Sequence, residues 1–181
     1  MKLSPTAKVI CGMVRLGQRT GYEIKQVVDV STRFFWAASY GQIYPELRRL
    51  EEQGLIASED GGPEANGRQR RPYELTAAGE EALASWLRSP EEMLYEHRDE
   101  GKLKLFFSDV LEPEERVELV RSMRATHEQQ VERLRSIEDS AREFGGGPHR
   151  TLRYGLALHE FCAGWLAELE EEVKRDKAAR R

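Results

Sequence analysis

Two cysteines in 181 residues, Cys11 and Cys162, are too few for a disulfide framework, and neither belongs to a C-x-x-C pair. Both stand among apolar neighbours, where a free cysteine behaves as a small hydrophobe. The four histidines, His97, His127, His149 and His159, show neither H-x-x-x-H nor H-E-x-x-H spacing, so no metal site is expected. A glycine-rich phosphate loop is missing, as is a nucleophile beside a plausible base. Neither an enzyme nor a cofactor is therefore expected. No apolar run approaches the ~20 residues that a helix needs to cross a bilayer. The stretch from Met1 to Val14 lacks the long apolar segment and small-residue cleavage site of a signal peptide. A cytoplasmic protein without a membrane partner is the expectation.

Charge is abundant. Asp, Glu, Lys and Arg make up 33% of the chain, the mean hydropathy is -0.66, and 39% of residues are hydrophobic, enough for a core. The net charge of -4 is unevenly spread. Residues 1–75 carry eleven Lys/Arg against nine Asp/Glu, and residues 76–181 carry seventeen against twenty-three, so +2 is followed by -6. A local basic face matters more to nucleic acid than the total, and this asymmetry permits DNA binding by the first half.

Local signals give the order of elements. Ser4-Pro5 is a helix start, with Ala7, Val9, Ile10, Met13 and Val14 as apolar face and Gly17 as stop. Thr20-Gly21-Tyr22-Glu23 fits a capping box and leads into Ile24, Val27 and Val28. A third helix is expected from Ser39 or Tyr40 to Gln53, closed by Gly54. At 100° per residue, Ile43, Leu47 and Leu50 share one narrow sector. The opposite sector holds Gly41, Gln42, Pro45, Arg48 and Arg49, with Tyr44 on its flank, and suits a groove in DNA. Pro45 is placed in or near the first turn, where its missing N–H costs little. Leu55–Glu59 and Arg68–Leu75 read as strands around a Gly/Asn/Pro loop. Thr76 caps a fourth helix carrying Leu83, Trp86 and Leu87. The result is a mainly α fold: an N-terminal winged helix-turn-helix with a two-stranded wing over residues 1–90, then a C-terminal long-helix dimerisation domain over 91–181.

Residues 39–56, Ser-Tyr-Gly-Gln-Ile-Tyr-Pro-Glu-Leu-Arg-Arg-Leu-Glu-Glu-Gln-Gly-Leu-Ile, resemble the signature of PadR-type transcriptional regulators. Gly21-Tyr22-Glu23-Ile24 and Tyr73-Glu74-Leu75-Thr76 resemble the same family, in the right order and at the right separations. This resemblance covers about the first 90 residues. Phe35-Trp36 and the long C-terminal region resemble its larger subfamily, which includes phenolic-acid-responsive repressors and virulence activators. The family implies a ligand-responsive repressor acting as a homodimer, with activation the alternative, since the sign depends on where the operator lies.

In helix-turn-helix proteins the second helix of the motif enters the major groove, and its N-terminal residues meet base edges. Gln42, Tyr44 and Pro45 are then nearest the bases, and a glutamine amide can pair with adenine N6 and N7. Arg48 can reach guanine or phosphate, Arg49 a phosphate. Tyr22 and Lys25 are phosphate candidates as well, although Tyr22 and Tyr44 also read as partly packed core. Arg68, Arg70 and Arg71 on the wing can follow the backbone or enter the minor groove, or simply be a solvated loop. Double-stranded DNA with an inverted repeat is the expected partner.

In the second half, residues 100–111 form a short helical run with Leu103, Leu105, Phe106 and Phe107. Pro113 opens a long helix to about Phe144, with Val117, Val120, Met123, Val131, Leu134, Ile137, Ala141 and Phe144 as its stripe. His127 falls on that stripe, either as a hydrogen-bonded histidine or as a ligand or pH-sensing group. Gly145-Gly146-Gly147-Pro148 separates it from a last helix, about Arg150–Lys174, carrying Leu152, Leu156, Phe161, Trp165, Leu166, Leu169 and Val173. Two long amphipathic helices cannot bury their stripes on so small a domain, which points to a homodimer or to a partner-binding hairpin. Phe34, Phe35, Trp36 and Trp165 can be ordinary core or can line a pocket for a small aromatic effector.

Overall fold

Ser4 accepts the Ala7 amide at 3.0 Å and Pro5 takes the first helical position, so α1 (Pro5–Arg15) begins where a cap and a preset φ coincide. Gly17 then turns the chain at φ 94°, a left-handed geometry that glycine adopts without penalty. This is a computed structural model, and it describes residues 3–32, 35–36, 38–58, 71–90 and 99–179, with side chains to 176.

The second helix, α2 (Gly21–Val30), carries the expected capping box. Thr20 Oγ1 accepts the Glu23 amide at 3.2 Å, and Glu23 accepts the Thr20 amide at 2.9 Å. After it come α3 (Tyr40–Glu52), β1 (Ile56–Ser58), β2 (Tyr73–Leu75) and α4 (Ala77–Arg88). The strands are antiparallel, pairing Ile56 with Leu75, Ala57 with Glu74 and Ser58 with Tyr73. Both are shorter than the sequence suggests, and residues 59–70 lie outside the described ones.

Thr76 ties the winged-helix unit together. Its hydroxyl caps α4 by accepting the Gly79 amide and donates to the Gly54 carbonyl at 2.7 Å, while its own amide donates to the Leu55 carbonyl. The Tyr73 amide reaches back to the Arg19 carbonyl at 2.7 Å. Ile10, Cys11, Ile24, Val28, Ile43, Leu47, Leu50 and Ile56 close one core at the crossing of the helices and the sheet. Trp86 and Leu87, expected beside Leu83, face outward instead, with the Lys8 ammonium 5.0 Å from the Trp86 ring.

Chain contacts divide at Met93/Leu94 into two compact units. The second holds α5 (Glu100–Phe106), a 3₁₀ turn (Ser108–Val110), α6 (Pro113–Ser136), α7 (Glu138–Phe144) and α8 (Gly146–Ala179). The expected long helix is thus divided at Ile137, while α8 starts earlier than expected. Gly145, at φ 121°, breaks the chain alone, and Gly146 and Gly147 enter the helix.

Helix α8 packs along α6. Leu152, Leu156, His159, Ala163, Leu166, Glu170 and Val173 recur in alternating steps of four and three and are buried or half-buried. On α6, Val117, Val120, Arg124, His127, Val131 and Leu134 repeat likewise, so the two form a coiled-coil seam. Two polar layers interrupt it. His127 Nδ1 and His159 Nδ1 stand 2.9 Å apart, so one donates to the other. Glu170, only 3% exposed, meets Arg121 at 3.2 Å, Arg124 at 3.4 Å and Lys174 at 2.9 Å. A second stripe on α8, Tyr154, Leu158, Phe161 and Trp165, remains exposed.

Candidate nucleic-acid interface

The α2–turn–α3 segment is held by apolar contacts on one side only. Ile43, Leu47 and Leu50 bury one face of α3, which leaves Tyr40, Gly41, Gln42, Tyr44, Pro45 and Arg48 exposed on the rest. An exposed helix face with two tyrosines and an arginine can present hydroxyls and a cation to phosphates and base edges.

Each candidate side chain has a definite setting. Arg48 is exposed, and among the described residues no hydrogen bond or ion pair holds it. Arg49, by contrast, lays its guanidinium on Glu46, with Nε to Oε2 at 2.8 Å and Nη2 to Oε1 at 2.5 Å. That fork holds the Glu46 carboxyl below the usual carboxylate range. Gln42 Oε1 accepts from the Ser39 amide at 2.9 Å and from the Ser39 hydroxyl at 3.1 Å. Bidentate pairing with adenine needs that same oxygen, so such readout requires the helix start to release it.

Pro45 is the sixth residue of α3, near the first turn but past it. The helix begins at Tyr40, so a residue at 45 would ordinarily donate to the Gly41 carbonyl. Proline has no N–H, and that carbonyl is left without its helical donor on the exposed face.

Tyr44 packs close over Gly21: a Cβ there would stand 2.8 Å from its Cε1. The ring also stacks on Tyr40, centroids 6.0 Å apart and planes 18° apart. Lys25 pairs with Asp29 and sits 5.5 Å from the Tyr40 centroid, so this ammonium is spoken for. Tyr22 is exposed and its hydroxyl accepts from Gln26 Nε2 at 2.9 Å. Tyr40 is a surface group that the sequence reading passed over. The i, i+4 pairing of two tyrosines was a signal that could have found it.

At the base of the hairpin, Arg71 pairs with Glu51 at 3.2 Å, and Glu51 also accepts from Ser58 at 2.7 Å. Arg68 and Arg70 lie outside the described residues, as does Phe34. Phe35 is 63% exposed, and Trp36 and Trp165 are each 47% exposed. Cys11 is fully buried, and burial pushes its thiol up to about 11, so it packs rather than reacts. Among the described residues no group of three or more His, Cys, Asp or Glu could hold a metal ion, and no helix is long and apolar enough to cross a membrane.

A model of the Transcriptional regulator PadR-like family matches residues 10–85, and one of the Virulence activator alpha C-term matches residues 97–174. The negative transcriptional regulator PadR of Bacillus subtilis (strain 168) is 24% identical over 178 residues, 92% of this chain and 96% of that one. Its crystal structure in complex with operator DNA superimposes with a TM-score of 0.82 at 23% identity, covering 92% of this chain and 98% of that one. Its complex with p-coumaric acid gives 0.76 at 24% identity, covering 92% and 97%.

Proposed function

We propose that this chain is a transcriptional regulator of the PadR-like type, in the larger branch with a virulence-activator-type C-terminal region, because the two family models match residues 10–85 and 97–174 in turn. It is a DNA-binding regulator and not an enzyme. The observation that carries the reading is the recognition helix α3, anchored by Ile43, Leu47 and Leu50 and presenting Tyr44, Pro45 and an uncommitted Arg48 outward. Gln42 and Tyr40 flank the same end, and Tyr22 and Lys25 border it on α2. The wing, through Arg68, Arg70 and Arg71, adds backbone contacts beside the groove. Residues 1–90 read DNA and residues 91–181 pair two copies.

Pairing is supported by the second apolar stripe of α8. Phe161 is 70% exposed, and Tyr154, Leu158 and Trp165 continue its line, whereas the seam with α6 occupies the other side. A second copy covers such a stripe at little cost, and a two-fold dimer calls for an inverted-repeat operator with half-sites a helical turn or a multiple apart. The Bacillus subtilis relative is a negative regulator solved with operator DNA and with p-coumaric acid. We assign this chain repression from the cytoplasm, relieved by a small aromatic effector that favours a dimer geometry out of step with the groove.

Fluorescence anisotropy with duplex DNA from upstream of its own gene, a scrambled duplex and two salt concentrations tests this. Preferential, salt-sensitive binding to the native duplex is expected, because phosphate neutralisation releases counterions. Absence of binding to any duplex at low salt would favour a winged helix that contacts protein instead.

A further inference from the structure

Arg48 and Arg49 are neighbours in sequence, and charge alone makes them interchangeable as phosphate ligands. Their surroundings separate them. The Glu46 side chain, 14% exposed, takes both arms of the Arg49 fork and the hydroxyl proton of Ser4. The same Ser4 oxygen accepts the Ala7 amide at 3.0 Å, so a single hydroxyl joins the first turn of α1 to α3, across 42 residues of sequence. A guanidinium bound in this way offers phosphate little net charge. Turning it outward would strip a mostly buried carboxylate of its counter-charge and leave that negative charge beside the DNA backbone.

We infer that Ser4, Glu46 and Arg49 form a clamp fixing the recognition helix against the start of α1, with Arg49 a positioning residue and Arg48 the cation that meets DNA. The inference rests on the DNA-binding reading above. It divides the basic pair of α3 into one residue that sets the angle of presentation and one that is presented. It also gives Ser4, which from sequence is only a helix cap, a share in operator preference.

Full-length wild type, R49K, R49Q, R48Q, S4A, S4T and the S4A/R49K double variant are titrated against a selected operator duplex and a random duplex across a salt series, with thermal melts of each. A clamp predicts that R49K and S4A each lose about tenfold in operator preference. Their salt slope is unchanged, the double variant is no worse than either alone, and S4T restores preference because its hydroxyl caps and donates alike. R48Q weakens binding to both duplexes and lowers the salt slope by about 1.8, one phosphate contact from each protomer of the dimer. A slope reduced by about 1.8 in R49Q, with R49K and S4A at wild-type preference, would make Arg49 a phosphate ligand and overturn the inference. Failure of wild type to bind any duplex would sink the DNA-binding reading instead. The clamp is then read from the melts, where S4A and R49K must be non-additive, and additive losses there reject it.

Discussion

The two units of this molecule bury apolar surface in different ways. In the first, α1, α2, α3, α4 and the hairpin cross, and each covers the others around one centre containing Ile10, Ile24, Ile43 and Leu50. In the second, α6 and α8 run alongside one another and share a single seam, interrupted by His127–His159 and by Glu170 with its three cations. Crossed elements turn one apolar face each toward a common centre. Two helices in line have one shared face, so a helix with two stripes keeps one uncovered. That difference teaches how each half buries its apolar side chains: around one centre in the first, and along a single seam with polar layers, beside a stripe left exposed, in the second.

The strongest way to break the contrast is to hollow out the first core. Leu50→Ala should cost about 2–5 kcal/mol, read by urea unfolding, because a fully buried leucine leaves a cavity at the helix crossing. In a Trp36→Phe/Trp86→Phe background, the fluorescence of Trp165, then the sole tryptophan and in the second unit, should keep its midpoint. Equal shifts in both signals would mean that the units do not differ as described.

Phe161→Glu sharpens the other side. A charge in the α8 stripe should weaken self-association by about 2 kcal/mol, roughly thirtyfold in Kd, in sedimentation equilibrium. The melting of the winged-helix unit should stay where it was. Unchanged association would remove the stripe from the dimer.

The third effect is pH-dependent and belongs to the seam. Burial holds the His127 imidazole below its ordinary value, with Asp99 opposing and Lys102 assisting, and burial plus the charge of His127 does the same for His159. Folded, the pair stays neutral while the unfolded chain takes up protons from about pH 6.5 downward. Stability from this source is therefore complete above about pH 6.5 and is lost as pH falls through the folded-state values. The melting temperature of the second unit should drop with acidification, and His159→Gln should flatten that drop. A flat wild-type profile would contradict the buried pair.

Gly21→Ala should have the smallest effect. Its new methyl would meet Tyr44 Cε1 at 2.8 Å and Leu47 Cδ1 at 3.0 Å, and the tyrosine ring can swing away. A stability loss of about 1 kcal/mol is expected, with a larger relative loss in DNA affinity as Tyr44 leaves Tyr40. Unaltered affinity would show that the Tyr40–Tyr44 stack is not part of the contact surface.

Much of the fold could be read along the chain because its causes are local. Ser4-Pro5, the Thr20–Glu23 box, the Thr76 cap and the positive-φ Gly17 and Gly54 each act within about a turn of themselves, and all appear as the residue types imply. The apolar sector of α3 was legible for the same reason. Two stripes on α8 were harder to separate. Phe161 and Trp165 read as continuous with Leu152, Leu156 and Leu166, and only the position of α6 shows which of them it covers.

The candidate site divides along the same line. Periodicity determined that Gly41, Gln42, Tyr44, Pro45 and Arg48 look away from the core, because a helix of 3.6 residues per turn allows nothing else once Ile43, Leu47 and Leu50 are buried. Which charges remain available on that face was decided by tertiary structure: Arg49 closes on Glu46, which Ser4 also holds, Arg71 on Glu51, and Lys25 lies over the Tyr40 ring, while Arg48 extends outward. A side chain's position on a helix follows from its neighbours in sequence, but its partner is whichever opposite charge the fold brings within reach.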